Sequence, residues 1–506
     1  MSLAVRSLTP RRAAAPLALL AALTTALTTS AVALPATPAS AATAASAALP
    51  FDMPSGSTLR ASSSKRAFAH YVPSLPVSLD NRDAASDYYT RNLMDPAGEG
   101  GKHKAYGGWM RDRPATRAPR SGDWRLADME SEVRSARDAG LDGFILVIYS
   151  LPDTGSAQQW ENANLLMKAA SNVDSGFKII LQPDMTGGLK DRSAGSLAKY
   201  MAKLAAYSSA YRIDGKVVVS PFTAERKSVS WWKSFKSTMS STYGKPVAFF
   251  PLFQNERTWR STFDPISYGM ANWGNRNPRG NDPVPTHADS PLGRIAAVHK
   301  LGQKWMQPIS VQDSRPRAGI YDEAQNTTNL RNTWAIATKG NAQFVQYATW
   351  GDYPENSVMA PTVKHGKVFL DISAYYLTKW KTGKAPTIVR DTVYLTHRTQ
   401  KAAARPSYPQ TKLMTLRSGS NAARDTVEAL TFLKAAGTVK IKVGTASYSC
   451  AVDAGVDTCT VPLSTGTVSA SVVRSGTTVA AVTSPYKVVS TPYVQDLQYV
   501  AAGSRR

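Results

Sequence analysis

Asp352 and Glu355 are the residues whose type and spacing most directly suggest chemistry. They stand three positions apart in Gln346-Tyr347-Ala348-Thr349-Trp350-Gly351-Asp352-Tyr353-Pro354-Glu355-Asn356, just past an apolar run that begins at Phe344. Two carboxyl groups at the tip of a strand can divide the work of breaking a glycosidic bond. One protonates the leaving oxygen while the other activates water or attacks carbon. Tyr353 and Pro354 would shape the neighbourhood that keeps one acid protonated near neutral pH. The same residues also read as a polar turn after a buried strand, so the weight falls on the elements around them.

Eight short apolar runs can be marked: Ala67–Tyr71, Gly143–Tyr149, Phe177–Pro183, Lys216–Pro221, Pro246–Phe253, Pro265–Met270, Lys304–Ile309 and Gln343–Trp350. Most are β-branched or aromatic, and continuous apolar character suits parallel strands buried on both faces. Helical patterns fall between most of them: Ala127–Ala139, the Leu197/Met201/Leu204 stripe, Val229–Met239, Leu292–Leu301 and Asn326–Ala337. A closing helix is marked by Phe369, Ile372, Tyr376, Leu377 and Trp380. This alternation predicts a (β/α)8 TIM barrel over residues 65–384.

Active sites of such barrels lie at the C-terminal ends of the strands. The candidate substrate-binding residues there are His70, Tyr71, Tyr149, Gln182, Asp184, Asn272, Trp273, Trp350 and Tyr353, with Asp352 and Glu355 as the catalytic pair. Aromatic faces stack on sugar rings while amides and acids hold hydroxyls, so the set fits a polysaccharide cleft. Each member has a structural reading beside it. His70 also reads as a buried histidine, Asp184 as a helix cap, and the tryptophans as packing. Asp313 with Arg315 and Arg317 reads as a surface ion pair.

From about Ala385 the pattern changes to short alternating segments punctuated by Gly, Ser and Asp, which predicts an antiparallel β-sandwich over residues 385–506. It is free of tryptophan and reads equally as a carbohydrate-binding module or as a domain that packs on the barrel. Cys450 and Cys459, the two cysteines of the chain, are expected to form a disulfide stapling one hairpin there. No Cys-x-x-Cys or His-x-x-x-His spacing suggests zinc. The chemistry expected calls for no metal and no organic cofactor.

The first residues read as export machinery. Arg6, Arg11 and Arg12 precede an Ala/Leu/Thr run, and Ala39-Ser40-Ala41 has the small-x-small cleavage pattern, so residues 1–41 are expected to be a signal peptide. Residues 42–64 read as a disordered Ala/Ser-rich segment, and no later run is long and apolar enough to span a membrane. A formal charge of +24, three units of it in the leader, suits a secreted chain attracted to an anionic cell wall, or simply a solvated basic surface. Nucleic acid is not an expected partner, and the chain is expected to act as a monomer.

Several segments resemble the α-1,3-glucanases (mutanases) of glycoside hydrolase family 71. Phe68-Ala69-His70-Tyr71 is similar to their opening strand, Gly140-x-Asp142-Gly143-Phe144 to the second, and Gly176-Phe177-Lys178 through Pro183-Asp184-Met185 to the third. The stretch from Tyr347 to Glu355 resembles their Thr-Trp-Asn-Asp-Tyr-x-Glu-Ser segment. The likeness runs over residues 65–382 and fits a bacterial, secreted member. It implies an inverting hydrolase of α-1,3-glucan or a related α-glycan, with Asp352 as general base, Glu355 as general acid, and His70 and Asp184 near the cleaved bond. Gly351 stands where the fungal enzymes have Asn, Asn356 where they have Ser, and the insertion Asp80–Asp123 differs from theirs. An endo-α-mannosidase-like hydrolase and a non-catalytic secreted glycan-binding protein are the alternatives.

Overall fold

Strands that are apolar along both faces are stable only between two layers, and helices supply the outer one. The computed structural model describes residues 48–153 and 156–505. The expected signal peptide lies outside the described residues. Nine segments form the central sheet: β1 (Arg66–Tyr71), β2 (Gly143–Ile148), β3 (Lys178–Pro183), β4 (Lys216–Val219), β5 (Val247–Phe249), β6 (Leu252–Phe253), β7 (Gly269–Asn272), β8 (Lys304–Ile309) and β9 (Phe344–Tyr347). A two-residue edge, Arg212–Ile213, lies antiparallel to β4. The parallel order is β4-β3-β2-β1-β9-β8-β7-β6, and β5 pairs with β4. Between β5 and β6 lie only Phe250 and Pro251, and Pro251 has no N–H to continue a ladder. The segment 247–253 therefore borders β4 on one side and β7 on the other. Phe250 N donates to Val219 O at 2.9 Å, and Tyr268 N donates to Phe249 O at 2.8 Å.

Helices α1 (Gly56–Ala61), α2 (Trp124–Asp138), α3 (Ala157–Val173), α4 (Ala194–Leu204), α5 (Val229–Ser241), α6 (Glu256–Phe263), α7 (Pro291–Lys300), α8 (Thr328–Lys339) and α9 (Val368–Thr382) accompany the strands. Ser156, Ser193, Ser228 and Ser290 cap α3, α4, α5 and α7 by accepting a backbone N–H. The sixth apolar run was expected at Pro265–Met270. Its first residues instead form a 3₁₀ turn (Asp264–Ile266) with proline at its start, and the strand begins at Gly269.

The expectation of disorder over 42–64 does not hold for its described part. Phe51 is buried edge-on against Tyr375 at 5.3 Å and bridges to Ile388, and Ser55 caps α1. The buried ring and the backbone bonds from Asp52 N to Thr387 O and from Val389 N to Pro50 O, each 2.9 Å, anchor the segment.

The C-terminal strands are β10 (Thr392–His397), β11 (Thr426–Leu433), β12 (Gly437–Val443), β13 (Ala446–Val452), β14 (Gly455–Pro462), β15 (Val468–Arg474), β16 (Thr477–Thr483) and β17 (Val500–Gly503). They make two four-stranded antiparallel sheets, β14-β11-β10-β17 and β13-β12-β15-β16, which share an apolar cluster that includes Leu395, Val427, Ile441 and Val472. Cys450 and Cys459 are bonded, with Cα atoms 5.9 Å apart. Because β13 and β14 belong to different sheets, the bond ties the two sheets together rather than stapling one hairpin. The region is not a detached module. Phe432 packs on Tyr375 at 5.2 Å, and Arg398 makes a fully buried ion pair with Glu323 at 2.9 Å.

No helix among the described residues is long and apolar enough to cross a membrane.

Helix α2 brings a carboxyl group into the layer outside the sheet. Glu132 accepts from Tyr71 OH at 2.7 Å and from Trp350 Nε1 at 3.3 Å. Burial pushes its pKa from 4.5 up to about 8, against both hydrogen bonds. In that window the folded chain keeps a proton that the unfolded chain releases. Stability is therefore full below the lower value and falls as pH rises toward the upper one, at on the order of 1.4 kcal/mol per pH unit. Glu132→Gln is expected to reduce the fall in stability between about pH 5 and about pH 8 in urea titrations, by the share of this one carboxyl group; an unchanged fall contradicts the assignment. Replacing both cysteines by serine is expected to cost roughly 2–3 kcal/mol, read from the denaturation midpoint of the same titrations.

Candidate active site

Along a strand, successive side chains point to opposite faces, so residues two apart share a face. Inside the curled sheet Phe68, Ile145, Ile180, Val218 and Phe344 form an apolar floor. Two residues further toward the C-terminal ends, the same inward face carries His70, Val147, Gln182, Ser220 and Gln346. Except at Val147, the interior thus changes from apolar to polar within one strand repeat. His70 Nδ1 meets Gln182 Oε1 at 2.8 Å and Nε2 meets Gln346 Oε1 at 3.1 Å. Gln182 donates to Ser220 O at 3.0 Å, and Gln346 donates to Asn272 O at 2.7 Å. Burial lowers the His70 pKa to about 4, so the imidazole is neutral and its single N–H donates to one of the two glutamine oxygens.

Above this layer opens a cleft of about 470 Å³. Of the residues expected to line it, His70, Tyr149, Gln182, Asp184, Trp273, Asp352 and Glu355 do so. His70 packs edge-to-face with Trp273 at 4.9 Å, and both its nitrogens lie against glutamine oxygens of this layer, which makes it a brace rather than a free donor. Asp184 spends one oxygen on Thr186, accepting from its N at 2.7 Å and its Oγ1 at 2.5 Å. It therefore braces its own turn as well as facing the cleft.

Four expected residues do not reach the cleft. Tyr71, Asn272 and Trp350 are each offset by one position from an inward-facing residue and so point the other way. Tyr71 and Trp350 meet Glu132, and Asn272 donates to Glu256 at 3.1 Å. Tyr353 is buried beside Tyr89, with ring centroids 6.4 Å apart.

The turn after β9 sets the geometry of the acid pair. Tyr353–Glu355 is a single 3₁₀ turn with Pro354 inside it and Asp352 as the residue before it. Residues three apart eclipse in a 3₁₀ turn, which brings Asp352 and Glu355 to one side. Thr349 Oγ1 accepts the Asp352 N–H at 2.9 Å, and Trp350 N donates to His70 O at 2.8 Å, tying the turn to β1. The turn ends on Asn356 in the left-handed region (φ 49°), which asparagine tolerates, and its side chain donates to Ser314 O at 2.6 Å. Gly351 has ordinary room for a side chain, so nothing in its surroundings requires glycine there.

Electrostatics separates the two acids. Enclosure in the cleft pushes the Asp352 pKa up to about 6, with Arg315 and Arg276 opposing. Glu355 is raised well above the ordinary carboxylate range, first by enclosure and then by the charge of Asp352, again against Arg315. Tyr149 sits within reach of the charges of Asp352, Asp184 and Glu355.

Sequence reasoning missed the cations. Arg276 is buried, its guanidinium 5.0 Å from the Trp273 ring centre and donating to Trp273 O at 2.8 Å. Asp313 and Arg315 are not a surface pair. Asp313 is 1% exposed, and Arg315 bridges it to Glu355 Oε1 at 2.6 Å. Asp322 and Arg417, distant in the chain, complete the wall. The one local signal was the acid and base two residues apart at the end of β8.

A sequence profile described as glycosyl hydrolase family 71 matches residues 119–500. An ascus wall endo-1,3-alpha-glucanase of Schizosaccharomyces pombe is 24% identical over 251 residues, 47% of this chain and 55% of the relative. The chain thus spans about half the length of that curated relative. Among solved structures, a GH99 endo-alpha-mannosidase from Bacteroides thetaiotaomicron aligns at 12% identity and TM-score 0.48, over 63% of this chain and 98% of that one. Its complex with bis-tris-propane aligns at 13% identity and TM-score 0.47, over 62% of this chain and 97% of that one. With the profile covering most of its length, the chain belongs to glycosyl hydrolase family 71.

Proposed function

We propose that this protein is a secreted, inverting hydrolase of α-1,3-linked glucan, with Glu355 as general acid and Asp352 as general base. The observation that carries the reading is the turn that brings both acids to one cleft with their proton affinities pushed apart. A carboxyl group held well above its usual range keeps a proton to give. One near 6 is ionised at neutral pH and can take a proton from water. The family match and the glucanase relative support the linkage, and the leader pattern of residues 1–41 supports secretion.

In this scheme Glu355 protonates the glycosidic oxygen as the bond to the anomeric carbon breaks and its electron pair stays on that oxygen. Asp352 removes a proton from a water molecule, whose oxygen bonds to the anomeric carbon from the opposite face. Inverting pairs stand roughly 6.5–9.5 Å apart to admit that water. Trp273 and Tyr149 offer faces to sugar rings, while Gln254, Asn275 and Asp184 are placed for hydroxyls.

We read the curled sheet as a (β/α)8 barrel of residues 65–384 whose fifth strand is broken at Phe250-Pro251. We read the two C-terminal sheets as a sandwich of residues 385–506. The basic charge suits retention near anionic wall polymers.

Sugar released from insoluble α-1,3-glucan is expected from the wild type. Glu355→Gln and Asp352→Asn are each expected to lose about 10²–10⁴ in rate. Wild-type activity is expected to fall as pH drops through about 6, where Asp352 takes up a proton. No release by the wild type, or near-normal rates in either variant, overturns the reading.

A further inference from the structure

The cleft is completed by a residue from far along the chain. Thr415–Leu416 pairs in parallel with Ile320–Tyr321, which in turn pairs with Ser314–Arg315. Arg417 follows directly, its N donating to Tyr321 O at 2.8 Å. Its guanidinium donates from Nε to Asp322 Oδ2 at 2.7 Å and from Nη2 to Asp313 Oδ1 at 3.3 Å. Asp322 is fixed on its other side by Asn277 at 2.9 Å. Asp313 also accepts from Arg315 Nε at 2.7 Å and from Arg315 Nη2, while Arg315 Nη1 reaches Glu355 Oε1 at 2.6 Å. The result is a charge chain of Arg417, Asp313, Arg315 and Glu355.

We propose that Arg417 is a positioning residue for Glu355: by sharing Asp313 with Arg315, it leaves Arg315 free to hold the acid. This rests on the reading of Glu355 as general acid. The side chain of Asp313 is fully enclosed (0% exposed), so its charge must be met by protein cations. With Arg417 present, two guanidinium groups meet it. Without Arg417, Arg315 must serve Asp313 alone and is drawn off Glu355. Glu355 is faced by Asp352 from its own turn, by Arg315 and Asp313 from the segment after β8, by Arg276 from the segment after β7, and by Tyr149 from the end of β2. Arg315 has a defined use there. Once Glu355 has given its proton away, the carboxylate left behind is stabilised by the guanidinium.

The chain predicts opposite signs for two substitutions, which a merely structural role does not. Arg417→Gln sends Arg315 toward Asp313, so Glu355 ionises at higher pH. Asp313→Asn removes a competing anion and releases Arg315 to Glu355, so Glu355 ionises at lower pH. Two readouts apply. One is the alkaline limb of the kcat–pH profile on α-1,3-glucan. The other needs no substrate: ¹³C NMR titration of δ-carbon-labelled glutamate in the full chain, with the Glu355 signal identified by its loss in Glu355→Gln. Both are expected to move up by roughly half a pH unit or more in Arg417→Gln, less than the shift caused by a directly paired charge, and down in Asp313→Asn. Arg417→Lys, which keeps the charge, is expected to restore most of the wild-type value. Shifts of the same sign in the two variants, or no shift in either while circular dichroism stays native, overturn the proposal. An inactive wild type overturns the hydrolase reading instead, and the NMR titration still decides the role of Arg417.

Discussion

The alternation of side chains along a strand is the constraint on which this molecule turns. In β1, β3 and β9 a large apolar residue occupies the sheet interior, and the residue two places on is polar: Phe68 then His70, Ile180 then Gln182, Phe344 then Gln346. That step makes a floor of buried apolar side chains and, above it, a hydrogen-bonded layer centred on one neutral histidine. The intervening residues are committed to the outer layer against the helices. A cleft can open only where the inward polar layer ends, and the acid-bearing turn is tied to that rim through His70 O and Thr349.

Charge is the second organising element. The cleft is lined by five carboxyl groups, Asp184, Asp313, Asp322, Asp352 and Glu355, and by three arginines, Arg276, Arg315 and Arg417. Enclosed carboxylates at this density are tolerable only where cations are interleaved with them or where some stay protonated. Both solutions are used. Asp313 and Asp322 take the arginines, while Glu355 rises in proton affinity. The C-terminal region supplies one of those cations, so it is part of the cleft wall as well as a packed neighbour of the barrel-like sheet.

Most of the scaffold was legible in the chain because parallel strands buried on both faces leave unbroken apolar runs, and seven of the eight runs coincide with strands. The run at 265–270 misled because a proline-led 3₁₀ turn is as apolar as a strand start. The site was legible where inward-facing residues sit at strand ends. It was misread for Tyr71 and Asn272 because facing was not counted, although period-two alternation from His70 and Trp273 contains that information. For Trp350 counting from Gln346 would not have helped, because the strand ends at Tyr347 and Thr349 takes the cleft side. Asp313 looked like a surface residue because nothing local signals burial. Arg417 was beyond reach: its contact with Asp313 spans 104 positions and depends on pairing between two-residue strands.

The stereochemistry of the first product tests the central claim most directly. An α-1,3-glucan oligosaccharide would be hydrolysed in an NMR tube and the anomeric proton of the new reducing end followed from the first minutes. The β-anomer appearing first, with the α-anomer growing in by mutarotation, is the result expected of water attacking opposite the bond that Glu355 protonates. The α-anomer appearing first would mean a covalent intermediate and would contradict the roles given to Asp352 and Glu355.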